Sequence, residues 1–367
     1  MGCDFIARAT PGVQGLQPYV PGKPAQELER ELGLTDIIKL ASNENPLGPS
    51  PVALAAAQQA LAELHLYPDA SGYRLKQALQ QHYGLSPDCI TLGNGSNDVL
   101  ELIARAFLRP GDEVVYSQYA FLVYPIITQA SSATAVVTEA RDWGHDLDAM
   151  LAAVTERTRL VFIANPNNPT GTWLSRAQLC AFMDALPVSV VLVLDEAYTE
   201  YSEDPDFPDG LELLARYPNL VVTRTFSKAW GLAGLRVGFA AANREITDLL
   251  NRVRQPFNVS GPALAAAEAV LQDRAYLART LETNRAGMRQ LIDGLKRLGL
   301  AVIPSAGNFV CVGLGRPAGP VYQQLLERGV IVRPVANYQM PDHLRISIGL
   351  LAQNLRCLQV LEEVLSA

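Results

Sequence analysis

Little in this sequence of 367 residues suits a secreted, metal-bound or membrane-embedded protein. Its five cysteines (Cys3, Cys89, Cys180, Cys311, Cys357) are odd in number and form no C-x-x-C pair. A disulfide framework is therefore not expected, and a reduced, cytoplasmic setting is. Four histidines occur, none spaced to share a metal with another His or Cys, so a metal site has no support. The longest strongly apolar run, at 188–194, is strand-sized and far short of a bilayer span. The opening MGCDFIARATPGVQ lacks the sustained apolar core of an export signal, and Ile6 breaks the myristoylation pattern. Positive charge is scarce as well: 30 Lys and Arg stand against 37 Asp and Glu, for a net charge of −7. No general positive field exists to hold nucleic acid or an anionic membrane. Any phosphate must be bound by a few placed arginines and backbone amides.

What is present reads as a globular α/β chain long enough for two domains, with 49% hydrophobic and 18% charged residues. Residues 1–25 are rich in Gly and Pro and predict an extended arm. Ser50-Pro51 followed by VALAAAQQALAEL starts a helix, with Ser at the N-cap and Pro at the first turn. DEVVYS (112–117), RLVFIAN (159–165), SVVLVLD (189–195), NLVVTRT (219–225) and LRVGFAA (235–241) predict strands covered on both faces, as in a mostly parallel sheet. A single long helical stretch is predicted from Pro262 to Gly299. After it, short strands (AVIPS, NFVCVG, VIVRPV, HLRISIG) between two amphipathic helices predict a smaller α+β domain over 280–367.

The polar residues cluster where those strands end, the usual ligand edge of an open α/β sheet. Thr225, Ser227, Lys228 and Arg236 gather hydroxyls, an amine and a guanidinium around one strand end. A neutral lysine condenses with an aldehyde to a Schiff base, and hydroxyls with an arginine hold the phosphate of that aldehyde. An isolated Ser-Lys pair also occurs in surface turns, but the apolar continuation GLAGLRVGF does not suit one. Asp195 emerges from VVLVL and needs a positive partner, for which a protonated pyridine nitrogen serves. It would also serve as a helix cap or a magnesium ligand, though no G-x-x-x-x-G-K-[ST] loop accompanies it. Asn165-Pro-Asn-Asn-Pro-Thr-Gly171 is a rigid turn that can aim the Asn168 amide at a ring oxygen, or only a turn. Gly93-Asn-Gly-Ser-Asn-Asp98 opens a helical pattern, where free amides suit phosphate.

These motifs in this order, N-P-N-N-P-T-G, D-E-A-Y, S-K-x-x-G-L-A-G-L-R-x-G and L-R-I-S-I-G, resemble those of the fold-type-I pyridoxal-5'-phosphate (PLP) aminotransferases over essentially the whole chain. Within that group the chain is most similar to the histidinol-phosphate aminotransferases, through L-x-P-Y-V-P-G-K-P, S-N-E-N-P-L-G (42–48) and Y-P-D (67–69). The resemblance implies the aspartate aminotransferase-like fold, a large domain with a mostly parallel seven-stranded sheet and a smaller α+β domain. It divides the chain into an arm with part of the small domain (1–45), a large domain (46–279) and a small domain (280–367). It implies a Schiff base on Lys228, Asp195 on the pyridine nitrogen, and Tyr198 and Asn168 on the ring hydroxyl. Ser96, Asn97, Thr225, Ser227 and Arg236 take the phosphate, with Tyr67 reaching it from the other subunit of a homodimer. Phe121 stacks on the ring, with Tyr119 as the fallback. Arg345 takes the substrate anion, Arg333 and Tyr19 the substrate phosphate, and Asn43 a further substrate contact.

The implied reaction is transamination of L-histidinol phosphate with 2-oxoglutarate; an aromatic-amino-acid aminotransferase or a threonine-phosphate decarboxylase of the same fold is the alternative. A catalytically silent regulator of this fold is disfavoured by the intact Lys228, Asp195 and Arg236. Trp143, Trp173 and Trp230 read as packing residues and His145 as a surface-turn histidine. Glu200, Glu203, Asp204, Asp206 and Asp209 read as a solvated loop, without the spacing of a calcium site.

Overall fold

The computed structural model describes residues 3–18 and 22–366. Its first strand, β1 (Ile38–Lys39), belongs to a sheet completed almost three hundred residues later. Seven strands follow that build the large sheet: β2 (Ile90–Gly93), β3 (Glu113–Ser117), β4 (Thr134–Thr138), β5 (Thr158–Ala164), β6 (Val191–Asp195), β7 (Leu220–Thr225) and β8 (Gly238–Ala241). Their order is β2-β8-β7-β6-β5-β3-β4. Only the β2–β8 and β7–β8 pairings are antiparallel.

The apolar runs are continuous because both faces are covered. Alternate residues of β5 and β6 enter opposite cores, Val161, Ile163, Leu192 and Leu194 on one face and Leu160, Phe162, Val191 and Val193 on the other. The helices Ser96–Phe107, Val123–Ala130 and Arg244–Val253 close the second face, and Pro51–Ala60, Tyr73–Tyr83, Arg176–Ala185 and Gly261–Val270 close the first. Ser50 caps Pro51–Ala60 through the Val52 and Ala53 amides, as its position in the sequence predicts.

A second core gathers Leu291, Leu295, Val310, Val312, Leu344, Ile346, Cys357 and Leu361. Its sheet runs β12-β13-β10-β9, all antiparallel, from β9 (Ala301–Ile303), β10 (Phe309–Gly313), β12 (Arg333–Pro334) and β13 (His343–Ser347). β11 (Val330–Ile331) pairs instead with β1, in parallel. Ile38 and Leu40 lie in this second core.

Four expectations need correction. The arm carries two helical turns, Phe5–Arg8, capped by Asp4, and Pro11–Gln14. The long helical stretch is two helices, Gly261–Val270 and Arg274–Arg297, because Asp273 turns its carboxylate onto the Tyr276 amide and starts a new one. The segment 330–335 splits between two sheets. The segment 235–241 is a strand only from Gly238, since Ala233–Leu235 forms a tight turn and Arg236 is left-handed, at φ 55°.

Candidate active site

The carboxyl edge of the large sheet is the floor of the site. β7 ends at Thr225, the chain loops out, and Phe226 closes the loop by donating to Val237 O at 3.1 Å. Inside the loop the Ser227 amide donates to Thr225 Oγ1 at 3.1 Å, and Arg236 Nη1 donates to Ser227 Oγ and Ala233 O, each at 3.1 Å. Arg236 lies against the lead-in to the helix Ser96–Phe107. Gly95 has φ 83°, and a Cβ there would stand 2.2 Å from Arg236 Nη2, so only glycine lets the guanidinium reach the helix start. Asp98 pins that lead-in by accepting from the Asn94 amide at 2.7 Å and from Asn258 Nδ2 at 2.8 Å. Helix amides, two hydroxyl residues and one guanidinium thus converge on one point, a cradle for a phosphate dianion.

Lys228 Nζ donates to Ser42 O at 3.0 Å. Desolvation by the surrounding protein pushes its amine down to about 7, helped by the positive charges of Arg345 and Arg236 against the pull of Glu44. Asp195 closes the opposite wall. Burial raises its carboxyl above the usual range, opposed by hydrogen bonds from Tyr124 to Oδ2 (2.9 Å) and Thr223 to Oδ1 (3.1 Å). Both side-chain donors are neutral, no ion pair reaches the carboxylate among the described residues, and the charge that acts on it is the more distant Lys228.

The second core supplies the remaining wall. Asn43, left-handed at φ 53° and buried, donates from Nδ2 to the Tyr198 hydroxyl at 2.9 Å. Ser347 holds it there, accepting from the Asn43 amide at 2.8 Å and donating to Asn43 Oδ1 at 2.9 Å. Arg345 donates to Asn168 Oδ1 at 2.5 Å and to Ala41 O at 2.6 Å. Arg333 stands opposite Arg345 in the β12–β13 pairing.

One cavity of about 180 Å³ joins these parts. Of the residues singled out in the sequence, Ser96, Asn97, Phe121, Asn168, Asp195 and Tyr198 line it on the large-sheet side. Thr225, Ser227, Lys228 and Arg236 form its base, and Asn43, Arg333 and Arg345 its far wall. Phe121, and not Tyr119, faces the cavity; Tyr119 packs on Trp143, ring centroids 5.3 Å apart. Tyr67 is not brought in by its own chain. It is 82% exposed and stacks on Phe257 beside a separate groove of mixed polar and apolar lining. Tyr19 lies outside the described residues.

Sequence reasoning missed Tyr124 and Thr223. Thr223 shows itself only through its register partner Asp195, and Tyr124 sits in a run that reads as apolar. His145 is also corrected: it is buried, and Nε2 meets Ala164 O at 2.9 Å. The acidic stretch is corrected in part. Arg224 Nη2 bonds the buried Glu196 at 2.7 Å and reaches out to the partly exposed Asp209 at 2.6 Å. Trp230 donates to Glu200 at 3.1 Å. Glu203, Asp204 and Asp206 remain exposed.

An amine pushed toward neutrality, a buried carboxylate held only by neutral hydroxyl side chains and an anion cradle together fit a phosphorylated pyridine aldehyde. Comparison with known proteins agrees. Residues 35–360 match the family described as aminotransferase class I and II. The chain belongs to that family. Histidinol-phosphate aminotransferase 2 of Pseudomonas fluorescens is 60% identical over 368 residues, covering 100% of both chains. Histidinol-phosphate aminotransferase 1 of Thiobacillus denitrificans is 55% identical, covering 100% of this chain and 96% of its own. Among solved structures, histidinol-phosphate aminotransferase from Sinorhizobium meliloti in complex with pyridoxal-5'-phosphate superposes with a TM-score of 0.91, at 34% identity and 98% coverage of each chain. A Thermus thermophilus aspartate aminotransferase double mutant gives 0.82 at 25% identity, covering 97% of this aminotransferase and 99% of that chain.

Proposed function

We propose that this aminotransferase moves the amino group of L-histidinol phosphate to 2-oxoglutarate, giving imidazole-acetol phosphate and L-glutamate, in histidine biosynthesis. The observation that carries the substrate is the arginine pair. Arg333 and Arg345 face one cavity with Lys228, two fixed positive charges where a phosphorylated amine must be held and oriented. Whole-length similarity to histidinol-phosphate aminotransferases supports the same reading.

The cofactor is pyridoxal 5'-phosphate, whose ring withdraws electrons from the carbon beside the substrate nitrogen. Lys228 would hold its aldehyde, and its free amine would move the proton at the substrate carbon as general base and acid. Asp195 keeps the ring nitrogen protonated. Tyr198 and Asn168 bond the ring hydroxyl, and Phe121 covers the ring face. Ser96, Asn97, Thr225, Ser227 and Arg236 hold the phosphate. Arg345 takes the substrate anion, Arg333 the substrate phosphate with Tyr19 as a further donor, and Asn43 fixes Tyr198 at the substrate side.

Four substrates offered with 2-oxoglutarate test the assignment: histidinol phosphate, phenylalanine, tyrosine and threonine phosphate. Histidinol phosphate should give the highest kcat/KM. Arg333→Ala should lower that value roughly ten- to a hundredfold, the size of one charge-assisted bond. Turnover of phenylalanine, which carries one carboxylate, should fall far less. An equal fall for both moves the aromatic aminotransferase reading ahead.

The same reading makes the protein a cytoplasmic homodimer divided at 1–45, 46–279 and 280–367. The cysteines are unpaired thiols, and no described helix is long and apolar enough to cross a membrane. The exposed Tyr67, with Leu64, Leu66 and Tyr73 around it, marks the face that meets the second subunit and completes its phosphate site. Mixing Tyr67→Ala with Lys228→Ala subunits should regenerate activity in hybrid dimers, which sedimentation can verify. Full activity in a monomer refutes the shared site.

A further inference from the structure

Asp195 is held by more than its own strand. Tyr124, fully buried in Val123–Ala130, donates to Oδ2, while Thr223 donates to Oδ1 from the neighbouring strand. The Tyr124 ring is itself clamped. It stacks on Phe162 with centroids 4.6 Å apart and planes 10° apart, and meets Phe121 edge-on at 5.9 Å and 88°. One rigid side chain therefore touches both the carboxylate assigned to the cofactor nitrogen and the ring assigned to the cofactor face.

We propose that Tyr124 is a positioning residue that sets the orientation and basicity of Asp195 and, through the same ring, the pose of Phe121. The proposal rests on the reading of Asp195 as partner of the pyridine nitrogen. A buried carboxylate short of donors takes up a proton or turns away to find one. Two hydroxyls bonded to its charged form oppose both. Tyr124 remains a donor throughout, because burial and the adjacent Asp195 charge hold its hydroxyl un-ionised. Without that hydroxyl Asp195 becomes the stronger base, the shared proton shifts from the ring nitrogen toward the carboxylate, and the ring draws electrons less.

The test uses holoenzyme carrying cofactor labelled with nitrogen-15 in the ring, read by NMR, with Tyr124→Phe keeping the packing and removing only the hydroxyl. The nitrogen signal should move from the pyridinium position toward that of neutral pyridine. kcat should fall about tenfold or more, with KM for 2-oxoglutarate within roughly twofold, as for a group acting on the chemical step. Phe162→Leu, which loosens the Tyr124 ring without touching Asp195, should move the signal the same way by less. A wild-type signal in both variants overturns the proposal, even if their melting temperatures drop, since packing alone accounts for that. Asp195→Asn separates the two claims. If it leaves the signal in place, the assignment of Asp195 itself fails; if it moves the signal and Tyr124→Phe does not, only the role of Tyr124 does.

Discussion

Lys228→Ala should retain cofactor and lose turnover by about 10²–10⁴-fold from proton transfer alone, with the loss of covalent catalysis added to that. The cofactor stays because the groups expected to hold it, the Arg236 cradle and Asp195, are independent of the lysine. Its visible absorbance should be that of a free aldehyde held non-covalently, and after borohydride and denaturation the variant should release its reduced cofactor, whereas the wild-type protein should keep it bound to Lys228 through a secondary amine. Near-normal turnover in the variant sinks the assignment. The depressed amine also has a pH signature. Below about 7 it is charged and cannot attack an aldehyde; above that value it is neutral and can. Capture of pyridoxal phosphate by cofactor-free protein should accelerate up to about that pH and then level off. A rate still climbing toward 10.5, the value of an ordinary lysine, means the amine is not desolvated.

Arg345→Ala should be the second most damaging change, because this guanidinium does two things at once. It offers its charge to a substrate anion and it anchors Asn168 Oδ1 and Ala41 O, while only 7% exposed. Each charge-assisted hydrogen bond contributes about 1.5–3 kcal/mol. Losing the substrate contact together with the placement of Asn168 should lower kcat/KM on the order of 10²–10⁴-fold. Both half-reactions should suffer, since histidinol phosphate and 2-oxoglutarate are both anionic. Lysine is no remedy, because a single ammonium cannot make both bonds in the fork geometry. Steady-state kinetics with each substrate varied checks this; a fall confined to one of them contradicts the shared role.

The sequence was most readable where chemistry sits on strand ends. Asp195, Asn168, Thr225 and Lys228 each follow an apolar run, and such a run announces a strand covered on both faces. Placing a polar residue at its end then requires no knowledge of the neighbours. Contacts across the sheet carry no local mark. Thr223 meets Asp195 only once β6 and β7 are in register, and Tyr124 is three positions from Phe121 in a stretch whose period suits plain burial. Left-handed Arg236 was hidden for another reason: LRVGFAA is apolar enough to read as one strand, yet it spends its first three residues on a turn. His145 and Asp209 look solvated in sequence because their partners, Ala164 O and Arg224, arrive from elements far along the chain.

The parallel pairing of Ile38 with Val330 and Lys39 with Ile331 has a consequence for the order of events on the ribosome. A nascent chain grows from residue 1 and domains tend to fold as their residues emerge. By residue 241 every strand of the large sheet has been made, and that sheet is free to close. β1 must wait, its edge unpaired, until some ninety further residues have been added, on the order of five to twenty seconds at typical synthesis rates. Through that interval the phosphate cradle and Lys228 can already be in place while Arg333, Arg345 and Ser347 do not yet exist. Synthesis thus passes through a stage that can take up cofactor before it can recognise a substrate.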